Sequence, residues 1–397
     1  MKIKVGVLFG GISVEHEVSI ISALQACNAL NRDKYDVIPI YITKTSEMYV
    51  GEQIGKIECY KNIPELIKNS RRVVIAMNNG KAELNYFPAK KFGNNVYDYI
   101  DVAMPVVHGT NVEDGALQGY LQTVGVPYTF CDVTASAVGM DKYIMKCVFK
   151  DNGIPVLDCV TVHSSRYSAD EAEVKREIEE KIGYPLIVKP INLGSSVGIQ
   201  IAHSADELDE TLTYAFGYAD RVLVEHAITN LTEINCSVVG DISAAEASEC
   251  EQPITGGEML SFDDKYISDA KGGKQSGMAS LKRKIPADIS PEQREKIRGL
   301  AVKAFKALNC NGIARIDFMI DNDNGNIYLT EINTIPGSLS FYLWEPVGVK
   351  YPELLDRIIS LALKREREKK ALTFSFDSNI LEGFTGGKLG GAKGSKL

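Results

Sequence analysis

The opening stretch constrains the fold more than any other part of the chain. Residues 2–9 are an apolar run that stops at Gly10-Gly11, and a short apolar run closed by glycines reads as a buried strand meeting a tight turn. A helical pattern follows from about residue 18 to 30, with Ile21 and Leu24 on its apolar face, and then the β-branched stretch 37–42. Strand, glycine turn, helix, strand is the start of a parallel sheet flanked by helices. The chain has 397 residues, and single cores stop growing near ~250–300 residues, so two or three units sharing clefts are expected.

Further along, Asn78-Asn79-Gly80 between the apolar residues Val73, Val74, Ile75 and Leu84 predicts a hairpin. Residues 102–107 predict a buried strand closed by His108-Gly109. One helix is expected over about 115–124, and a second, unbroken helix over 135–150, ending before Gly153-Ile154-Pro155 at a domain boundary. Residues 186–190 read as a strand running into a Gly/Ser-rich turn, 206–215 as a helix, 222–225 as a strand and 234–239 as the start of a third unit. The Gly-, Lys- and Ser-rich segment 269–280 reads as a long loop, a feature that in compact enzymes often serves as a lid. An amphipathic helix over 291–308, strands over 313–320 and 327–332 and a last helix over 352–363 complete the pattern. The Gly/Lys-rich tail 376–397 reads as disordered or loosely docked.

The formal net charge is −8, from 44 basic and 52 acidic residues. That balance argues against a general nucleic-acid binder and leaves room for a local basic pocket. No apolar stretch reaches the length of a signal-peptide core or a spanning helix, so a cytoplasmic location is expected. The eight cysteines form no C-x-x-C pair and read as small apolar residues of a reducing compartment.

Three groups of residues carry chemistry. Asp317 lies in the strand-like Ala-Arg-Ile-Asp-Phe-Met, and Glu331 and Asn333 lie in Leu-Thr-Glu-Ile-Asn-Thr on the next strand. Residues i and i+2 of a strand share a face, so Glu331 and Asn333 point the same way, and a hairpin pairing brings Asp317 opposite them. Oxygen ligands without His or Cys suit Mg²⁺. A solvated acidic sheet face is the alternative, but unpaired carboxylates on apolar, central strands are costly. Second, Gly194-Ser195-Ser196-Val197-Gly198 follows the strand that ends near Lys189. Such a turn can cradle an anion with backbone N–H groups, or be a plain flexible turn. Lys189 within a buried strand needs a partner, and Lys142 in Met-Asp-Lys is a second candidate cation. Third, the loop Gly10 to Ser19 leaves the end of the first strand, where α/β sheets bind ligands. Glu15 in that loop can hold an ammonium, and His108-Gly109 closes another strand end.

Together these pieces resemble the D-alanine–D-alanine ligase family. The matching stretches are LFGGISVEHEVS, HGTNVEDGALQGYL, GVPYTF, MDKYIMK, YPLIVKPINLGSSVGI, DDKYISD, IARIDFM and LTEINTIPG, in the family's order and covering almost the whole chain from Lys2 to about Leu363. The resemblance implies an α/β, three-domain ATP-grasp fold with an N-terminal Rossmann-like (pre-ATP-grasp) domain. The implied division is an N-terminal substrate-binding domain at 1–130, a central ATP-grasp subdomain at 131–233, a C-terminal one with the metal site and lid at 234–366, and a tail at 367–397. It implies that Glu15 binds the ammonium of the first amino acid and His108 lines its pocket. Lys142 and Lys189 would contact the phosphates of ATP, with Ser195 and Ser196 in the glycine loop. Glu225, Ala227 and Ile228 would form the adenine hinge, with Glu233 on the ribose. Ser195 would connect with Glu15 and with Tyr266, and Lys265-Tyr266 would sit on the lid. Asp317, Glu331 and Asn333 would hold one or two Mg²⁺ ions, for which Mn²⁺ can substitute. Arg315 and the Gly337 backbone would stabilise the oxyanion. A homodimer is also implied.

The implied reaction is ATP-dependent joining of two D-alanines through an acyl-phosphate, for peptidoglycan precursors. Where the family continues Met-Thr after Pro-Gly, this chain has Ser338-Leu339-Ser340-Phe341-Tyr342. Tyr342 stands where the family's serine for the second substrate falls. A sister ligase with D-serine or another amino acid as second substrate therefore stays open, as does, more remotely, a nucleotide-binding regulator without turnover. The dinucleotide glycine fingerprint of a dehydrogenase is missing.

Overall fold

The structure, a computed structural model, describes residues 2–194, 197–254 and 283–374. Ser195, Ser196, Lys265, Tyr266, the expected lid at 269–280 and the tail at 376–397 lie outside the described residues. Three sheets organise the described chain.

β1 (Ile3–Gly10), β2 (Tyr35–Ile42), β3 (Met48–Val50), β4 (Arg71–Asn78), β5 (Lys81–Tyr86), β6 (Val96–Ile100) and β7 (Val102–Pro105) form a seven-stranded sheet in the order β6-β5-β4-β3-β2-β1-β7. The expected parallel pairing holds for β2-β1-β7, where Val5 lies beside both Val37 and Val102. Residues 48–100 add an antiparallel extension. β1 is buried from Val5 to Gly10, and a strand covered on both faces reads as a continuous apolar run. Gly10 has φ +93°, and a Cβ there would meet the Ile42 carbonyl oxygen at 2.2 Å, so only glycine fits this turn. Asn79 and Gly80 have φ of 48° and 74°, the conformation that two-residue hairpin loops favour.

β8 (Cys159–His163), β9 (Leu186–Pro190), β10 (Gln200–Ala202) and β11 (Arg221–His226) form an antiparallel sheet in the order β10-β9-β11-β8. Leu186, Val188, Val222 and Val224 pack with Val174, Ile178, Leu208 and Leu212 of the helices Glu171–Lys181 and Ala205–Phe216. Strand alternation then sends Lys189 and Glu225 to the other face.

β12 (Leu231–Gly240), β13 (Ala245–Pro253), β14 (Arg283–Lys284), β15 (Gly312–Asp321) and β16 (Ile327–Asn333) form the third sheet, in the order β14-β13-β12-β15-β16. The helix Pro291–Ala307, started by a Ser290–Gln293 capping box, packs Ile297, Ala301, Ala304 and Phe305 into its core. Cys131, Ala135, Met145, Phe149 and Ile154 join the same core.

The expected single helix over 135–150 is two helices, Val133–Met140 and Lys142–Asp151. Asp141 breaks them: its carboxylate accepts from the N–H groups of Tyr143 (3.0 Å) and Ile144 (2.9 Å). An aspartate that caps a new helix offers the backbone an alternative to continuing the old one. The break places Lys142 in the first turn of the second helix. The last helix, Tyr351–Lys370, is longer than its apolar pattern and returns Leu354, Leu355, Ile358 and Ile359 to the core of the first sheet.

Candidate active site

The third sheet builds one side of the site by register. Glu251 on β13 lies opposite Asn235 on β12, Asn235 opposite Asp317 on β15, and Asp317 opposite Glu331 on β16. Cross-strand partners face the same way, so the four side chains form a polar row across the sheet. A second row runs Ser237, Arg315, Asn333. Arg315 donates from Nε and Nη2 to the two oxygens of Asp317, both at 2.7 Å. The Asn333 amide donates to Asp317 Oδ2 at 3.0 Å and to Glu331 Oε1 at 3.5 Å. Burial works against the charge of Arg315, and the Asp317 carboxylate overcomes it, so the guanidinium stays charged. A β-bulge between β15 and β16 leaves Thr330 unpaired beside Asp317 and Glu331, with its hydroxyl on the Asp317 carbonyl at 2.9 Å. Bulges of this kind re-aim side chains next to active sites.

Lysines supply the opposite charge on a separate wall. The backbone N–H of Lys142 donates to the Ile191 carbonyl at 3.0 Å, and its Nζ donates to the Leu193 carbonyl at 2.5 Å. An Arg221–Asp141 ion pair ties the same helix start to β11. Lys189 Nζ lies 2.5 Å from Glu225 Oε1, and Lys146 Nζ lies 2.5 Å from Glu225 Oε2. Burial alone would raise the carboxyl of Glu225, but the two ammonium groups hold it down to about 2. The side chain of Glu225 is thus committed to lysines, and its backbone lies between Cys159 of β8 and Ile187 of β9. Ala227 is buried, with its N–H on the Pro185 carbonyl at 2.9 Å, and Ile228 is half-buried. Glu233 sits on β12 two residues before Asn235, on the same face as the polar row.

A cleft joins these walls. Its lining includes Glu15, His108, Gly109, Glu113, Lys142, Gly194, Arg315, Glu331, Asn333 and Gly337, drawn from the vicinity of all three sheets. Lys189 is not in that lining. Glu15 precedes the helix His16–Ala29. Gly109 has φ +82°, and a Cβ there would sit 2.7 Å from Glu15 Oε2, so the close approach requires glycine. His108 is fixed at both ring nitrogens, Nδ1 to the Ile335 carbonyl at 2.8 Å and Nε2 to Ser22 Oγ at 2.9 Å. Burial lowers its pKa, which keeps the ring neutral.

Two features escaped the sequence. Glu113 is fully buried and clamps two loops: Oε2 accepts from Gly109 N–H at 3.0 Å and Oε1 from Ile335 N–H at 2.8 Å. Burial pushes its carboxyl up to about 8 against the pull of those donors. Its only signal was an acid five residues beyond the strand-end His108. After Gly337, Ser338, Leu339 and Ser340 have φ of 50°, 50° and 48°, a left-handed turn without glycine. Such residues cost about 1–2 kcal/mol each and cluster at functional sites. Ser338 N–H on Ser22 Oγ at 2.9 Å helps to hold the turn. The turn delivers Tyr342, whose hydroxyl donates to Glu251 Oε1 at 3.2 Å while the Arg283 guanidinium lies 4.1 Å from its ring centre.

The model of the D-ala D-ala ligase N-terminus matches residues 4–131, and that of the D-ala D-ala ligase C-terminus matches residues 148–360. The chain belongs to the D-alanine–D-alanine ligase family. It is 41% identical over 379 residues to a D-alanine–D-alanine ligase of Acetivibrio thermocellus, covering 92% of this chain and 96% of that one. A D-alanine–D-alanine ligase of Geobacillus kaustophilus is 38% identical over 383 residues, covering 95% of this chain and 99% of that one. Among solved structures, the D-alanine–D-alanine ligase of Coxiella burnetii superposes with a TM-score of 0.76 at 31% identity, over 93% of this chain and 96% of that one. A D-Ala:D-Ser ligase from Enterococcus faecalis gives 0.75 at 31% identity, over 91% and 100%. The mixed α/β architecture with three sheets is thus that of the D-alanine–D-alanine ligases, the ATP-grasp fold expected from the sequence. ATP use goes with the ligase family. Among the described residues no helix is long and apolar enough to cross a membrane.

Proposed function

We propose that the chain joins two D-alanines into D-alanyl-D-alanine at the expense of ATP, through an acyl-phosphate, to supply peptidoglycan precursors. The observation that carries this reading is the meeting, in one cleft, of Glu15 with Arg315, Glu331, Asn333 and the Gly337 backbone, beside Asp317. Glu15 binds the ammonium of the first amino acid and so aims its carboxylate at the γ-phosphate. Phosphoryl transfer needs positioning and charge neutralisation more than covalent help, and Lys142 and Lys189 supply positive charge. Arg315 and the Gly337 N–H receive the oxyanion formed when the second amine attacks, and a fixed donor at that point is worth about 3–4 kcal/mol.

Among the described residues no group of three or more His, Cys, Asp or Glu side chains is placed to hold a metal. Two carboxylates and an amide, Asp317, Glu331 and Asn333, instead make a hard-oxygen set. That set fits one or two Mg²⁺ ions, with Mn²⁺ as a substitute, which typically share phosphate oxygens with a few protein ligands. A bound cation would neutralise charge on the phosphates. Ser195, Tyr266 and Lys265 complete the reading as ATP, lid and substrate contacts, with Ser196 beside the phosphates and Ala227, Ile228 and Glu233 around the nucleoside. The matching reading of the chain is a substrate-binding unit at 1–130, two ATP-grasp units at 131–233 and 234–366, a cytoplasmic location and a homodimer.

A second reading, D-serine or another amino acid as second substrate, is favoured by Tyr342 and the left-handed turn at the position of the family's serine. An amino-acid panel separates the two, with ADP release and product mass as readouts. D-alanine alone stimulating ADP release and yielding the dipeptide mass supports the first reading. Stimulation only when a different second amino acid is added replaces it, and no D-alanine-dependent turnover removes both.

A further inference from the structure

The charges around Glu225 do not cancel. One fully buried carboxylate faces two ammonium groups, Lys146 and Lys189, each at 2.5 Å. The two lysines are not equivalent. Lys146 is sealed, with 6% of its side chain exposed, and its Nζ also reaches the Leu157 carbonyl at 3.0 Å. Lys189 keeps 17% of its side chain exposed and precedes the 191–194 loop that Lys142 grips. An isolated Lys189–Glu225 pair would be neutral and would offer little to an anion. With Lys146 present, the cluster carries a net positive charge, and Lys189 is its accessible member.

We propose that Lys146 is a positioning residue for nucleotide binding: by engaging Glu225 from the buried side, it leaves the charge of Lys189 available to the phosphates of ATP. This rests on the reading of Lys189 as a phosphate contact. The same geometry explains why a glutamate is tolerated at a site built for an anion. Glu225 orients both lysines, and removing a partner from a buried pair leaves an uncompensated charge.

The test measures the ATP dissociation constant and the KM for D-alanine in five forms of the full chain: wild type, Lys189→Met, Lys146→Met, Lys146→Arg and the double variant Lys146→Met/Glu225→Gln. Lys146→Met is expected to weaken ATP binding on the order of tenfold, as loss of one buried charge partner does at electrostatic sites, while KM for D-alanine stays within about twofold. Lys146→Arg is expected to retain ATP binding. The double variant is expected to recover it, because removing Glu225's charge frees Lys189 again. Wild-type affinity in Lys146→Met, with Lys189→Met weakened, overturns the role of Lys146 alone. Wild-type affinity in Lys189→Met overturns the underlying reading of the phosphate site. A double variant as weak as Lys146→Met makes Lys146 a structural prop under the Leu157 carbonyl and overturns the proposal.

Discussion

Glu113 and Glu225 are two glutamates buried to the same degree in different parts of the molecule, and their carboxyl groups behave in opposite ways. Glu225 meets two lysines and is held down to about 2. Glu113 meets two backbone N–H groups and the Thr334 hydroxyl, has Glu15 nearby, and is pushed up to about 8 by burial. Partners, not depth, decide the charge of a buried acid. The difference matches their positions. Glu225 organises positive charge on the second sheet, whereas Glu113 joins the loop after β7 to the loop after β16 and so holds the first and third sheets around the cleft.

Substitutions separate the two glutamates. The largest effect on turnover belongs to neither glutamate. Arg315→Ala should lower kcat for ligation by about 10²–10³-fold while leaving the ATP dissociation constant near wild type, because the Glu225 cluster is intact. Equal loss of both would place the two walls in one inseparable unit. Next, Glu225→Leu should destabilise the protein by about 3–5 kcal/mol in urea denaturation, since it strands the buried ammonium group of Lys146 and removes the partner of the half-buried Lys189. Glu113→Gln should cost less, about 1–3 kcal/mol, because one amide edge turns a donor toward a backbone N–H. Comparable costs would mean that the charges at Glu225 matter no more than the hydrogen bonds at Glu113.

Stability against pH separates them by sign. The pKa of Glu225 is depressed in the folded state, so its contribution is present above the ordinary carboxylate range and lost as pH falls toward about 2. The pKa of Glu113 is raised, so its contribution is present below that range and lost as pH climbs through about 8. Between those limits it should add a downward slope of at most about 1.4 kcal/mol per pH unit, which Glu113→Gln removes. A slope unchanged in that variant would put the acid's pKa in the normal range. The smallest effect expected is that of Tyr342→Phe. Losing the hydrogen bond that its hydroxyl donates to Glu251 should cost about 0.5–1.5 kcal/mol in urea denaturation.

The sequence revealed those parts of the site that depend on local periodicity. Glu331 and Asn333 share a face because a strand alternates, and the turn Asp321–Gly325 fixes which strand brings Asp317 opposite them. The same logic made β1 and the hairpin at Asn79-Gly80 readable. The helix break at Asp141 is not legible in the sequence, because an aspartate in an apolar helical pattern looks like one polar position until its carboxylate is seen to cap. Lys146 and Glu113 are not legible as site residues because their partners are distant in sequence: Glu225 for one, Ile335 for the other. The turn at Ser338-Leu339-Ser340 could not be read at all. Nothing in three non-glycine residues signals positive φ, and the contact that holds the turn comes from Ser22, on the first helix.

We propose that Asp317, Glu331 and Asn333 present oxygens to a divalent cation that shares the phosphates of ATP. ATP affinity measured by calorimetry across a Mg²⁺ titration, in wild type and in Asp317→Asn/Glu331→Gln with unchanged circular dichroism, tests it directly. Wild-type affinity is expected to rise with Mg²⁺, and the double variant is expected to lose this response. An equal response in both would contradict it.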